Sequence, residues 1–272
     1  MKDLSFKNII KLTKFNLYIN RKTIIGWTIG IFLIMTLYMG LFDSIKDMAK
    51  LEIEVMPEEV LKFIGVSDIF TIGQYNGYFG MVFSLVLIAI SVFAITFSIS
   101  LIVKEEKTKS IEFLNSLHIS RKEIYISKYL TSFIGILTVI FFALLITVIC
   151  GYLVGGDTFN MTELMTTSKI ACITPFIFGS IGFLLAGVSS KVATGAIGSG
   201  VVIASYMFGY LGSLLGDKGE NLEYLSPFTM LNVKNVLTIT NETAICLTAY
   251  FTIYVLSLVI GGYIYNKRDL NI

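Results

Sequence analysis

Charge is scarce in this sequence. Asp, Glu, Lys and Arg make up 15% of its 272 residues, against roughly 25% in an ordinary soluble domain. Hydrophobic residues make up 55%, and the mean hydropathy is +0.79. A soluble protein of this composition could not cover its own surface, so much of the chain must face lipid. Histidine occurs once, at His118, and cysteine only at Cys150, Cys172 and Cys246, all three inside apolar runs. Zinc-type spacings and a disulfide framework are thereby excluded, and the thiols read as small packing residues. Some twenty mixed residues precede the first apolar run, and no small-x-small cleavage site follows it. That run is therefore expected to stay in the membrane as a span.

The longest absences of charge mark the spans, because an ionised side chain at the bilayer centre costs about 2.5–3.5 kcal/mol on insertion scales. Runs free of Asp, Glu, Lys, Arg and His cover Thr23–Phe42, Tyr78–Val103, Tyr129–Val154, Ile170–Val188, Val192–Leu215 and Ala244–Tyr265. Each can cross ~30 Å of hydrocarbon as a helix, the fourth only just. The runs are continuous rather than alternating with period two, which excludes a β-barrel. The expected fold is an all-α integral membrane protein with six transmembrane helices, forming one membrane domain over residues 1–272.

Lys and Arg are distributed unevenly between the two sets of connections. Six lie up to Lys22 and six between Lys104 and Lys128; Lys191, Lys267 and Arg268 complete that side. The other side holds only Lys46, Lys50, Lys62, Lys169, Lys218 and Lys234, together with most of the acids. The positive-inside rule then places both ends in the cytoplasm (N-in/C-in), consistent with an even number of spans.

The spans themselves contain no ionisable side chain of these types. Proton- and ion-coupled transporters usually keep such groups in their pathway, and intramembrane hydrolases need a base, a carboxylate or a metal. A G-x-x-x-x-G-K-[ST] phosphate loop is also absent, so ATP hydrolysis by that route is excluded. Uphill transport would have to draw its energy from another polypeptide, with ATP and Mg bound there; no cofactor, metal or catalytic group is expected in this chain, and no nucleic-acid partner.

Other segments have recognisable roles. In the acid-rich connection after span one, Pro57-Glu58-Glu59 is expected to open a short helix that Gly65 stops. Spans four and five carry small residues four apart, at Gly182/Ala186, Gly195/Ser199, Ala196/Gly200, Ser205/Gly209 and Gly212/Gly216, the spacing that lets helices approach closely in lipid. Tyr206, Met207, Phe208 and Tyr210 either line a path or pack against lipid and neighbours.

Two cytoplasmic segments stand out. Lys7, Lys11, Lys14 and Arg21 form one basic helical stripe ahead of span one, with Phe6, Ile9, Ile10, Leu17 and Ile19 on other faces. Such a helix either lies in the interface beside anionic headgroups or docks a protein. The second segment, Lys104–Ile124, is the one long cytoplasmic connection. Ile111, Leu114 and Leu117 or His118 recur there at helical spacing, joined by Phe113. Ser120 with Glu123 three residues on has the pattern of a capping box opening the third span. An apolar stripe on a short exposed helix calls for a partner surface, or else for lipid.

From Glu105 to Lys128 the chain resembles the loop between spans two and three of permease subunits of type-2 ATP-binding-cassette (ABC) exporters. The matching residues are Glu105, Ser110-Ile111-Glu112-Phe113-Leu114, Ser120-Arg121 and Lys128; Lys109 stands where that family often has Gly, and His118 where Pro is common. Met56–Gly65 followed by Asn76-Gly77-Tyr78 is similar to the family's first outer loop. Leu225-Ser226-Pro227-Phe228 is similar to the outer loop before its last span, and Asn266-Lys267-Arg268-Asp269-Leu270 to its usual ending. The resemblance runs over essentially the whole chain.

What the resemblance implies is a division of labour in the bacterial plasma membrane. Two permease chains, identical or related, would dock on a pair of separate ATPase subunits. The segment after span two would be a cytoplasmic coupling helix, braced by an N-terminal amphipathic interfacial helix. Glu105, Glu112, Phe113, Leu114 and Arg121 would make the main contact, with Lys109 and His118 on the same segment. The alternative is a non-transporting membrane scaffold or sensor that docks a cytoplasmic partner. Nothing in the residues selects a cargo, although uncharged spans favour an amphipathic or apolar one.

Overall fold

The computed structural model describes residues 5–46, 73–107, 119–188, 194–231 and 241–267. Hydrocarbon offers no partner for a peptide N–H or C=O, so a crossing segment must pair these groups within itself. The apolar runs fold accordingly. Among the described residues there is no strand, and six helices are long and apolar enough to cross a membrane. In chain order the helices are α1 (Phe6–Gly40), α2 (Tyr75–Lys107), α3 (Arg121–Val154), α4 (Met161–Ala171), α5 (Thr174–Val188), α6 (Gly195–Leu215), α7 (Glu220–Glu223), α8 (Pro227–Met230) and α9 (Asn241–Lys267). The short helix expected from Pro57 to Gly65 falls outside the described residues.

The bundle is organised around α2. In its most apolar stretch 72% of the residues are buried, against 22% for each of α1, α6 and α9. It lies against α1, α3, α5 and α6, which is why its sequence is apolar on every face. Phe93 stacks on Phe97 one turn further along α2, with ring centres 5.1 Å apart, and meets Trp27 of α1 at 5.5 Å. Several polar side chains inside the bundle are satisfied locally, although the buried Ser91 hydroxyl has no partner among the described residues. Thr96, Thr131 and Thr147 each return a hydroxyl bond to the carbonyl four residues earlier, and the Ser98 and Ser132 hydroxyls, 2.8 Å apart, join α2 to α3.

Two elements run differently from the simplest expectation. The basic N-terminal segment is not separate from the first span: α1 runs unbroken for 35 residues, about 52 Å at 1.5 Å per residue. Its buried positions, Ile9, Thr13, Asn16, Ile24, Ile31, Met35 and Met39, form one narrow seam packed along α3. A helix of that length extends well beyond ~30 Å of hydrocarbon, so its first turns continue the axis of the span. The fourth crossing is also not one helix from Ile170. It is broken between α4 and α5, two residues before Pro175. Proline has no N–H to give and its ring collides with the carbonyl four residues back, here that of Ala171, the last residue of α4. Asn160 opens α4 by accepting the Thr162 and Glu163 N–H groups on its side chain.

The small residues act selectively. Gly182 lies against the α2 backbone, where an added Cβ would come 2.7 Å from the Ile95 carbonyl, and one at Gly187 would come 2.6 Å from that of Gly261 on α9. Gly209 and Gly212 make room for the segment carrying α7 and α8, not for another span. The Ala196/Gly200 pair faces outward: nothing lies within 4 Å of a Cβ at Gly200. Gly216 has φ +56°, the left-handed conformation that ends α6.

Gly187→Ala should therefore lower the unfolding free energy by about 1–3 kcal/mol through overpacking against backbone. Gly30→Ala on α1, where nothing lies within 4 Å, should be neutral or stabilising by up to about 1 kcal/mol. Thermal unfolding of the detergent-solubilised protein checks both, and equal losses would refute the close α5–α9 approach.

Candidate functional site

The ends of α1, α2, α3 and α9 that carry most of the basic residues converge on the first two turns of α3. The Ser120/Glu123 pattern forms the expected capping box: the Ser120 hydroxyl accepts the Glu123 N–H at 3.2 Å, and Glu123 Oε2 accepts the Ser120 N–H at 2.7 Å. That closes two of the orphan donors at a helix start. Oε2 also accepts the Ser120 hydroxyl at 2.9 Å.

The other carboxylate oxygen reaches across to α1. Oε1 accepts the N–H of Ser5, the N-cap of α1, at 2.9 Å, and the side-chain amide of Asn8 at 3.4 Å. One carboxylate thus serves the first turns of two helices, where the positive ends of both dipoles favour it. Glu123 is only 4% exposed. Burying a charge is costly unless it is fully hydrogen-bonded, and these four donors supply that compensation.

The same two turns hold α9. The Arg121 guanidinium donates to the Asn266 carbonyl at 3.3 Å, placing a cation at the C-terminal end of α9. The Tyr125 hydroxyl donates to the Leu258 carbonyl at 3.0 Å, and its ring packs against Phe183 of α5 and Tyr265 of α9. Lys128, 1% exposed, carries its ammonium 6.0 Å from the centre of the Tyr265 ring. Thr13 of α1 donates to the Ser127 carbonyl at 3.4 Å. The start of α3 is thus bonded to α1 and α9 at once.

The expected contact residues distribute as follows. Arg121 is at this junction, half-buried and turned towards α9. Glu105 lies in the last turn of α2. Lys109, Glu112, Phe113, Leu114 and His118 fall outside the described residues. Lys7, Lys11, Lys14 and Arg21 are exposed on the side of α1 away from its seam with α3, and Arg21 lies 4.0 Å from the Tyr18 ring centre. Glu123, Tyr125 and Lys128 were not foreseen as a set. The capping signal at Glu123 was visible in the sequence, but its second role depends on Ser5, 118 residues away.

Glu123→Ala removes a shared cap, and loss of a single N-cap costs about 0.5–2 kcal/mol. Amide exchange at the start of both α1 and α3 should accelerate by about two- to thirtyfold, measured by hydrogen exchange with mass spectrometry. Exchange confined to α3 would show that the link to Ser5 carries no stability.

At the opposite end a second polar cluster joins α2 to the start of α4. Asn76 donates to the Asn160 carbonyl and to Glu163, both at 2.9 Å, and accepts the Asn160 N–H at 3.3 Å. The Tyr75 hydroxyl, which donates to the Thr147 carbonyl, ties α2 to α3 beside it. Both ends of the bundle are therefore pinned by side-chain bonds, while between them packing is joined by the Ser98–Ser132 and Tyr129–Tyr254 hydroxyl pairs.

A search of curated proteins finds no match. Residues 14–265 match the model of the family described as "Multidrug efflux system permease Rv1217c, C-terminal domain". That stretch contains nearly all of the six membrane-crossing helices and the α3 side of the junction, with Arg121, Glu123, Tyr125 and Lys128. The chain belongs to this family of transporter permeases and is a multi-pass membrane protein.

Proposed function

We propose that the chain is the permease subunit of a type-2 ABC exporter, driven by a separate ATPase subunit that docks on residues 105–118. The observation that carries this reading is the junction at the start of α3. A partner gripping the segment between Lys107 and Ser120 would pull on a helix start bonded to α1 through Glu123 and to α9 through Arg121 and Tyr125. Displacement there reaches three helices together instead of bending one loop. The family's printed description, a multidrug efflux permease, supports export of drug-like compounds, and the charge-free spans suit amphipathic or apolar cargo.

In this reading both chain ends face the cytoplasm of a bacterial cell, and two permease chains, identical or related, enclose the path. ATP and Mg bind the partner. ATP closes the ATPase pair, and the docked segments move with it between inward- and outward-facing arrangements. Nucleotide can drive that switch only by its difference in affinity for the two states; about 5.5 kcal/mol takes a two-state equilibrium from 1:99 to 99:1. Phe113 and Leu114 supply the apolar anchor expected of a docking centre, and Glu105, Glu112 and Arg121 its charged surround.

Purified alone, the chain should hydrolyse no ATP; from native membranes it should bring down a protein with a phosphate-binding loop. Phe113→Asp and Glu112→Arg should each reduce the co-purified ATPase by at least about tenfold and abolish drug-stimulated hydrolysis and efflux. Full ATPase retention with no flux in reconstituted vesicles, for any drug tested, would favour the non-transporting scaffold instead.

A further inference from the structure

Beside the junction, α3 and α9 diverge and leave an open cavity of about 510 Å³. Its α3 wall is Lys122, Tyr125 and Ile126; its α9 wall includes Val259, Gly262 and Lys267. The floor is set by Tyr125, whose hydroxyl is held by the Leu258 carbonyl and whose ring occupies the space a side chain at Gly262 would need: a Cβ there would come 2.9 Å from the ring. The wall beyond is apolar and open to the outside, Val259 being 62% exposed.

Both charged residues of the cavity are cations. Lys122 and Lys267 are exposed and have no carboxylate partner among the described residues. Lys267 rests 4.5 Å from the centre of the Tyr263 ring, which orients its ammonium without neutralising it. Basic pockets between transmembrane helices suit anionic lipid headgroups. A free anion would satisfy the lysines and leave the apolar wall bare. A zwitterionic lipid would cover the wall and leave net positive charge.

We propose that this groove holds one anionic phospholipid, with its phosphate between Lys122 and Lys267 and an acyl chain along Ile126 and Val259. Bound there, the lipid bridges α3 and α9 on the flank of the junction and adds to the ties made by Arg121 and Tyr125. The proposal requires only that the chain is embedded in a membrane. It is independent of any ATPase.

The full-length protein in mild detergent is titrated with phosphatidylglycerol or phosphatidylcholine, and bound lipid is counted by native mass spectrometry. One phosphatidylglycerol is expected to bind, at least about tenfold more tightly than phosphatidylcholine. Lys122→Gln with Lys267→Gln should remove that preference, and Val259→Trp, which fills the exposed wall without changing charge, should weaken retention of either lipid. Lys7→Gln with Lys14→Gln on α1 should change neither, and inorganic phosphate at equal concentration should not displace the lipid. Equal binding of the two lipids, displacement by inorganic phosphate, or an equal effect of the α1 variant would overturn the proposal. Unchanged binding in both groove variants, with unfolding temperatures at the wild-type value, would overturn it as well.

Discussion

The interior of a bilayer gives a polypeptide nothing to hydrogen-bond to, and this constraint organises the protein. Every crossing segment is a helix because only a helix pairs its own peptide groups. Much of the side-chain polarity inside the bundle is met within a turn or by the next helix, as with Thr96, Thr131 and the Ser98–Ser132 pair. Hydrophobicity cannot drive one span against another when lipid is equally apolar. Cohesion then rests on close approach. Gly182 against Ile95 and Gly187 against Gly261 supply it by removing the side chains that would hold the backbones apart.

Polar bonding is concentrated at the two ends, where helix termini expose unpaired groups. Glu123 is the clearest case. A carboxylate with several oriented donors replaces its hydration shell with fixed dipoles. Because two of those donors belong to α1 and two to Ser120 beside α3, the same bonds that satisfy the charge also fix the relative position of two helices. Arg121 does the converse at α9, bringing a cation to a helix C-terminus. The start of α3 is thereby tied to α1 and α9 at once. In the proposed reading that linkage matters, since energy delivered by a separate subunit would be useful only if the docking element moved more than itself.

The amino-acid sequence alone determined the class of the molecule and the number of its crossings. Exclusion of charge from hydrocarbon is local and strong, and each charge-free run could be found without knowing its neighbours. The Ser120–Glu123 box was legible for the same reason, being complete within four residues. Tertiary structure decided the rest. Whether a small pair packs or faces outward depends on what lies opposite, so Gly182 and Gly200 differ in role while sharing a spacing. Continuity of α1 from Phe6 into the span comes from its long seam with α3, a contact between segments more than a hundred residues apart. The break ahead of Pro175 is intrinsic to proline, and hydropathy alone did not register it because the flanking residues carry no charge. Glu123 reaching Ser5 and Arg121 reaching Asn266 are meetings of distant residues, and only packing of the whole bundle brings them within bonding distance.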